Sequence, residues 1–199
     1  MPVVADMSSH FASKEIEWDK HHVVLAGAQK NVGPAGATIV CVRKELIGHE
    51  IEGTPVMCSW TDFSKAPTRH KNTPCCWAIY MAGLSLKFMR EKTLKAIKEE
   101  ADQKSNLLYE FFESTDGYYE NPVDKHCRSR MNIPFRVCQN ADLEKKFLSE
   151  ATDSNFIDLK GHRTVGGCRV SVYNAQPIES VKALIDFMKT FMENNPRPQ

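Results

Sequence analysis

Apolar positions follow two rhythms along this chain. Unbroken short runs, Val3-Val4-Ala5 and Val23-Val24-Leu25-Ala26, have the character of strands in a parallel sheet covered on both faces. They predict strands at residues 3–5 and 22–26, with a third at 37–42. Farther on the spacing becomes helical. The longest apolar stretch, residues 75–84, is too short to span a bilayer and predicts a buried helix, with Cys75 and Cys76 as core thiols. A second helix is predicted over 92–113, with Leu94, Ile97, Ala101, Leu108 and Phe112 near one face and Lys95, Lys98, Glu99 and Asp102 on the solvated one. A third opens at Pro177, where Ile178, Val181, Leu184, Ile185, Met188 and Phe191 form one buried stripe. Between these two helices the pattern predicts strands at 131–137, 156–159 and 168–173 and a helix at 142–151. Residues 194–199 are expected to fray.

This alternation of strands and helices makes the chain α/β. It predicts part of a large, mostly parallel sheet domain over residues 1–91. An interdomain helix and a small α/β C-terminal domain follow over 92–199. Residues 48–71 have little periodicity and several turn formers, so a long functional loop is expected there. Thr73 and Pro74 suit the N-cap and first turn of the next helix, which would turn free N–H groups outward at Asn72-Thr73 and favour an anion.

Two residues stand out for their chemistry. Asp6 and Lys30 each come just past an apolar run, where strands end, and ligands of open α/β sheets bind in the crevice outside those ends. A lysine with a partner acid suits an aldehyde cofactor, pyridoxal phosphate above all. Lys30 would form the Schiff base, and Asp6 would pair with the protonated ring nitrogen. A solvated lysine after a buried strand is the bland alternative. A second cluster, His162, Arg163 and Arg169, is interrupted by Gly166-Gly167. Arginine's planar fork matches carboxylate and phosphate oxygens in pairs, so a site for a doubly anionic substrate is one reading and surface arginines flanking a turn the other.

Composition narrows the field. With 26 basic and 25 acidic residues the net charge is +1, which leaves no global field for nucleic acid or an anionic membrane. Seven cysteines without a Cys-x-x-Cys pair fit a reduced compartment, and the cytoplasm is expected. His21-His22 and His126-Cys127 are adjacent pairs, not ligands at usable spacing, so no metal is expected. There is no glycine-rich nucleotide fingerprint.

Four segments occur in one order at wide spacing: Ala5-Asp6-Met7-Ser8-Ser9, Ala26-Gly27-Ala28-Gln29-Lys30-Asn31, Asn72-Thr73-Pro74, and residues 161–175, from Gly161-His162-Arg163 to Tyr173-Asn174-Ala175. Together they resemble phosphoserine aminotransferases, class V aminotransferases of the fold-type I pyridoxal phosphate enzymes. The likeness runs from Val3 to Asn194 and covers the C-terminal half of that family's chain. It implies a fragment or an incomplete gene model, without the phosphate cup, the ring-stacking aromatic residue and a further substrate arginine.

The resemblance also implies roles. Lys30 and Asp6 are catalytic; Ser8, Gln29, Asn72 and Thr73, with Asp6 and Lys30, hold pyridoxal 5'-phosphate. Asn72-Thr73 reach the cofactor phosphate of a neighbouring subunit, which implies a homodimer with shared active sites. Arg169 matches the arginine for the substrate's α-carboxylate, and His162 and Arg163 the pair for its distal anion. The reaction implied is transamination between L-glutamate and 3-phosphohydroxypyruvate to give 2-oxoglutarate and O-phospho-L-serine, a step of serine biosynthesis. The partners are these small molecules, not nucleic acid or membrane. Departures from the pattern are Cys75, where a second proline is usual, and Lys71, where an aromatic or aliphatic residue is usual. Another class V enzyme, such as an alanine–glyoxylate aminotransferase or cysteine desulfurase, is one alternative. A catalytically incompetent fragment or interaction module is the other.

Overall fold

The computed structural model describes residues 1–198 and divides into two compact units, Met1–Leu94 and the part from Lys95 onward. In the first, β1 (Val4–Asp6), β2 (Val23–Gly27) and β3 (Thr38–Val42) form a sheet of order β1-β2-β3. β1 runs parallel to β2, with Asp6 beside Leu25, whereas β3 is antiparallel to β2. Only β2 has the expected burial. Val23 and Val24 are covered, but Val4 stands 62% exposed, so the apolar character of β1 does not reflect burial within this chain.

The expected loop at 48–71 contains a helix, α1 (Trp60–Lys65). Ser59 caps it by accepting the Asp62 N–H, and the Glu50 carboxylate accepts from the Ser59 hydroxyl and from both the N–H and the hydroxyl of Thr61. Those donors hold the Glu50 carboxyl well down, at about 2. The helix arises from capping rather than periodicity, which is why a pattern of apolar positions misses it.

Next comes α2 (Cys76–Lys92), with Cys75 at its N-cap and no side-chain cap. It starts two residues later than Thr73-Pro74 suggested, so Asn72 and Thr73 precede the helix rather than opening it. Its burial also corrects the expectation. Ala78, Ala82 and Met89 are covered, while Trp77, Tyr80, Leu84 and Phe88 are exposed, as are Cys75 and Cys76. The helix is apolar on several faces, and the face used inside this unit carries small residues because the approach is close. A Cβ at Gly33 would come within 3.2 Å of the Ala82 backbone.

In the second unit, α3 (Leu94–Ser114) follows a break at Thr93, whose φ is 75°. Then come β4 (Tyr119–Glu120), β5 (Asn132–Val137), α4 (Ala141–Asp153), β6 (Cys168–Ser171) and α5 (Ile178–Asn194). The sheet has order β4-β5-β6 and is antiparallel throughout, with Phe135 opposite Cys168 and Pro134 opposite Arg169. Alternation along β5 and β6 sends Ile133, Phe135, Val137, Cys168 and Val170 into the core and leaves Arg136 and Arg169 half-buried on the other face. The helices close the core with α5 contributing the stripe from Val181 to Phe191, and Phe135 and Phe147 meeting edge to face at 5.6 Å.

Two expectations change here, and one buried lysine is new. Residues 156–159 form no strand, because Asn155 and Asp158 have positive φ and only Lys160 makes a bridge, to Cys168. The end of α5 is held rather than frayed. Asn195 is buried, accepts from the Tyr118 hydroxyl and donates to Phe191, while Arg197 donates to the Asp116 carbonyl. Gln199, the last residue of the stretch expected to fray, lies outside the described residues. Finally, Lys104 is 2% exposed, and its Nζ donates at 2.8 Å to the carbonyls of Tyr173 and Gln176, just past β6.

That lysine gives a stability prediction. Lys104→Met keeps an apolar stem but leaves both carbonyls without their charged donor. The expected loss is about 2–4 kcal/mol in urea unfolding. A loss below about 0.5 kcal/mol, the size of an ordinary surface change, would contradict this anchoring role.

Candidate functional site

The first cluster is built where β1 and β2 end side by side. β1 finishes at Asp6, and the chain turns at once: the Ser8 N–H and hydroxyl both donate to Asp6 Oδ1, at 2.9 and 2.6 Å. The same Ser8 oxygen accepts the Gly27 N–H at 3.0 Å, which ties the turn to the last residue of β2. These two Ser8 donors, with lesser help from the Lys30 and His10 charges, hold the Asp6 carboxyl below its usual range. Asp6 is therefore a carboxylate at neutral pH.

Beyond Gly27 the chain winds through a tight turn, closed by Val32 and Gly33 N–H groups donating to the Ala28 carbonyl. Ala28 and Val32 point inward against Ala82. The turn is thus pinned from below, and it lifts Lys30 to a half-buried position. Lys30 Nζ donates to the Ser9 hydroxyl at 2.8 Å. Asn31 braces the opposite segment by donating to the carbonyls of Ser9 and Phe11. Gln29 is exposed and folds back over Gly27, where a Cβ would meet its amide at 2.5 Å. Asn72 and Thr73 are exposed, with the Asn72 amide donating to the Thr73 carbonyl.

The structure thus joins Asp6 to Ser8 through hydrogen bonds and ties Lys30 to the next residue along, Ser9. Ser9, which sequence reasoning missed, completes the group. A small polar residue three positions past Asp6 was the available signal, but nothing in the sequence says that it reaches a residue 21 positions away.

The donor set suits pyridoxal phosphate. The amine needed for covalent attachment is held by a neutral hydroxyl, and a carboxylate fixed in its ionised form stands at the neighbouring strand end. Among the described residues no group of three or more His, Cys, Asp or Glu side chains is placed to hold a metal ion.

The second cluster surrounds β6. Arg169 lies on that strand, half-buried, with its Nε covered and without a hydrogen-bond partner. Arg169 also lines a cavity of about 600 Å³ along the strand, with Lys160, Ser171, Tyr173 and Gln176 among the other walls. His162 and Arg163 are not among its lining residues. They occupy an exposed turn in which the Val165 and Gly166 N–H groups donate to the His162 carbonyl. His162 Nδ1 lies 2.7 Å from the Thr164 hydroxyl.

The family description "Aminotransferase class-V" fits residues 1–184. The chain belongs to this family. Over 192 residues this class V chain is 46% identical to the phosphoserine aminotransferase of Laribacter hongkongensis (strain HLHK9), covering 96% of this chain and 53% of that protein. A solved phosphoserine aminotransferase from Bacillus circulans subsp. alkalophilus is similar with a TM-score of 0.92 at 38% identity, over 98% of this chain and 54% of that one. The PLP-bound phosphoserine aminotransferase from Trichomonas vaginalis gives a TM-score of 0.88 at 36% identity, over 94% and 53%. The class V chain therefore has the α/β fold of fold-type I aminotransferases and spans about half the length of the curated relatives it matches.

Proposed function

We propose that the protein carrying this segment is a phosphoserine aminotransferase, exchanging an amino group between L-glutamate and 3-phosphohydroxypyruvate. The observation that carries this reading is the Asp6–Ser8 and Lys30–Ser9 arrangement at two adjoining strand ends, in a chain 46% identical to a protein of that name. Bound pyridoxal phosphate supplies an aldehyde for the amine and a ring that draws electrons from the substrate's α-carbon. Lys30 holds that group through Nζ and, once released, takes the α-proton of the amino-acid substrate. Asp6 stays ionised beside Ser8 and keeps a proton on the ring nitrogen. Ser8, Gln29, Asn72 and Thr73 add hydrogen bonds to the cofactor.

Arg169 holds the α-carboxylate, and its covered, unpartnered Nε supports that role. His162 and Arg163 take the distal carboxylate or phosphate; both are exposed, and with Nδ1 held at Thr164 the histidine would meet the anion through Nε2. Glutamate and the phosphorylated keto acid each carry two anionic ends, so one set of basic groups serves both half-reactions. Residues 1–91 would be part of the cofactor domain and 92–199 the interdomain helix with the small domain.

A homodimer with shared sites is part of this reading. The exposed apolar residues of α2, directly after Asn72-Thr73, support it. A cytoplasmic serine-biosynthetic role fits seven cysteines free of disulfides.

Comparing kcat/KM for phosphoserine, glutamate and alanine in the whole protein tests the division of labour. Arg169→Ala should weaken all three, by the about 1.5–3 kcal/mol of a charged hydrogen bond. Arg163→Ala or His162→Ala should weaken only the two dianions. Equal losses on all three substrates for Arg163→Ala would assign that residue to the turn instead.

A further inference from the structure

The turn that carries His162 and Arg163 is short of internal support. Its hydrogen bonds are all local, at its neck and tip: the Gly161 N–H donates to the Gly167 carbonyl at 2.9 Å, the Val165 and Gly166 N–H groups donate to the His162 carbonyl, and His162 Nδ1 meets the Thr164 hydroxyl and N–H. Glycine is required at the neck. A Cβ at Gly161 would fall 2.0 Å from the Gly166 oxygen, and Gly166 and Gly167 both have positive φ, 73° and 63°. Such a turn is free to swing unless something outside it fixes where it leaves the sheet.

That support is Arg136. Phe135 pairs with Cys168, so the next residue of β5 comes level with Gly167. There the contact is tight: a Cβ on Gly167 would lie 2.6 Å from Arg136 Cδ and 3.1 Å from Nε. The arginine stem is a shelf beneath the returning end of the turn, and the missing side chain at 167 is what lets the backbone rest on it. The shelf is itself fixed. Arg136 Nε donates to Glu144 Oε1 at 2.5 Å and Nη2 to Oε2 at 3.3 Å, a forked pair to a carboxylate that is nearly buried at the start of α4. Glu144 Oε1 also accepts the Val137 N–H, which locks the pair to β5.

We propose that Arg136 and Glu144 are positioning residues for distal-anion recognition: the pair sets the place from which His162 and Arg163 reach the substrate. The proposal rests on the reading of those two residues given above. It assigns Arg136 no contact with substrate. Glu144 pairs with its charge, and the arginine stem meets the turn at Gly167. The same sheet face carries Arg169, which would keep its own role when the shelf is lost.

The test uses Arg136→Met, which keeps a stem but removes the fork, and Glu144→Gln, which keeps the shape but removes the charge. Arg136→Lys serves as the conservative control. Limited trypsin cleavage of the intact protein, mapped by mass spectrometry, reads the turn at the Arg163–Thr164 bond, with cleavage after Lys182 in α5 as the internal reference. Removal of the pair should speed the Arg163 cut about tenfold against the reference, with Arg136→Lys in between. In the whole protein KM for phosphoserine should rise about tenfold with kcat nearly unchanged, while alanine kinetics stay as they were.

An Arg163 cut within about twofold of the parent in both variants overturns the proposal, because order of the turn would not depend on the pair. Equal acceleration at every site overturns it too, by assigning the pair to global stability. A selectively loosened turn with unchanged KM for phosphoserine supports the shelf and instead defeats the distal-anion reading of His162 and Arg163.

Discussion

Lys30→Ala in the whole protein is expected to lower transamination by at least about 10⁴-fold, while overall fold and thermal stability stay close to the parent's. The side chain is half-buried and makes one hydrogen bond, to Ser9, so its removal costs little structure. What disappears is both the point of covalent attachment and the base that moves the α-proton. A small primary amine added to the medium should restore part of the proton-transfer rate, since it can enter the space the lysine leaves. Activity within about 10²-fold of the parent, with no response to added amine, would remove Lys30 from the chemistry.

Asp6→Asn should be the next most damaging change, with kcat down by about 10²–10³-fold and cofactor affinity reduced much less. Asparagine keeps the shape and can still accept from Ser8, so a loss would report the charge. A pH measurement separates this from a packing effect. Asp6 is held below its usual range by Ser8, so its charge is present above the unfolded value and disappears as pH falls through the lower folded value. Ser8→Ala removes the strongest contributor, the hydroxyl, leaving the N–H donor, and should move the acid limb of the rate profile to higher pH. Near-normal turnover in Asp6→Asn would leave the carboxylate as a strand-end anchor only.

Both residues were legible in the sequence because their signal is positional: each follows an apolar run, and runs of that kind end at the edge of a sheet. The stripe of α5 was legible for the same reason, as Val181, Leu184, Ile185, Met188 and Phe191 are all buried. The contacts that tune the site were not. Ser9 reaches Lys30 across 21 positions and Arg136 reaches Gly167 across 31, separations over which local pattern carries no information. Lys104 was hidden by its type, since a lysine in a helix is ordinarily solvated, and only the two carbonyls past β6 explain why this one is inside.

Other differences have local causes. The two residues of β4 are too few to show a period, so Tyr119 gave no strand signal. Positive φ at Asn155 and Asp158 broke a run that reads as extended. Along α2, apolarity was read as burial, although the covered face is Ala78 and Ala82 and the bulky residues stand exposed. The basic cluster was legible as a charge pattern. Its division into a half-buried Arg169 on a strand and an exposed His162-Arg163 turn was not.

The central claim is that Lys30 is the residue to which pyridoxal phosphate attaches, and borohydride reduction tests it most directly. The protein is incubated with pyridoxal phosphate, reduced, digested and mapped by mass spectrometry. The account predicts a pyridoxyl label on Lys30, in the peptide that contains Gln29 and Asn31, and its absence from Lys30→Ala. A label on a different lysine, or one spread over the exposed lysines and unchanged in Lys30→Ala, would contradict it.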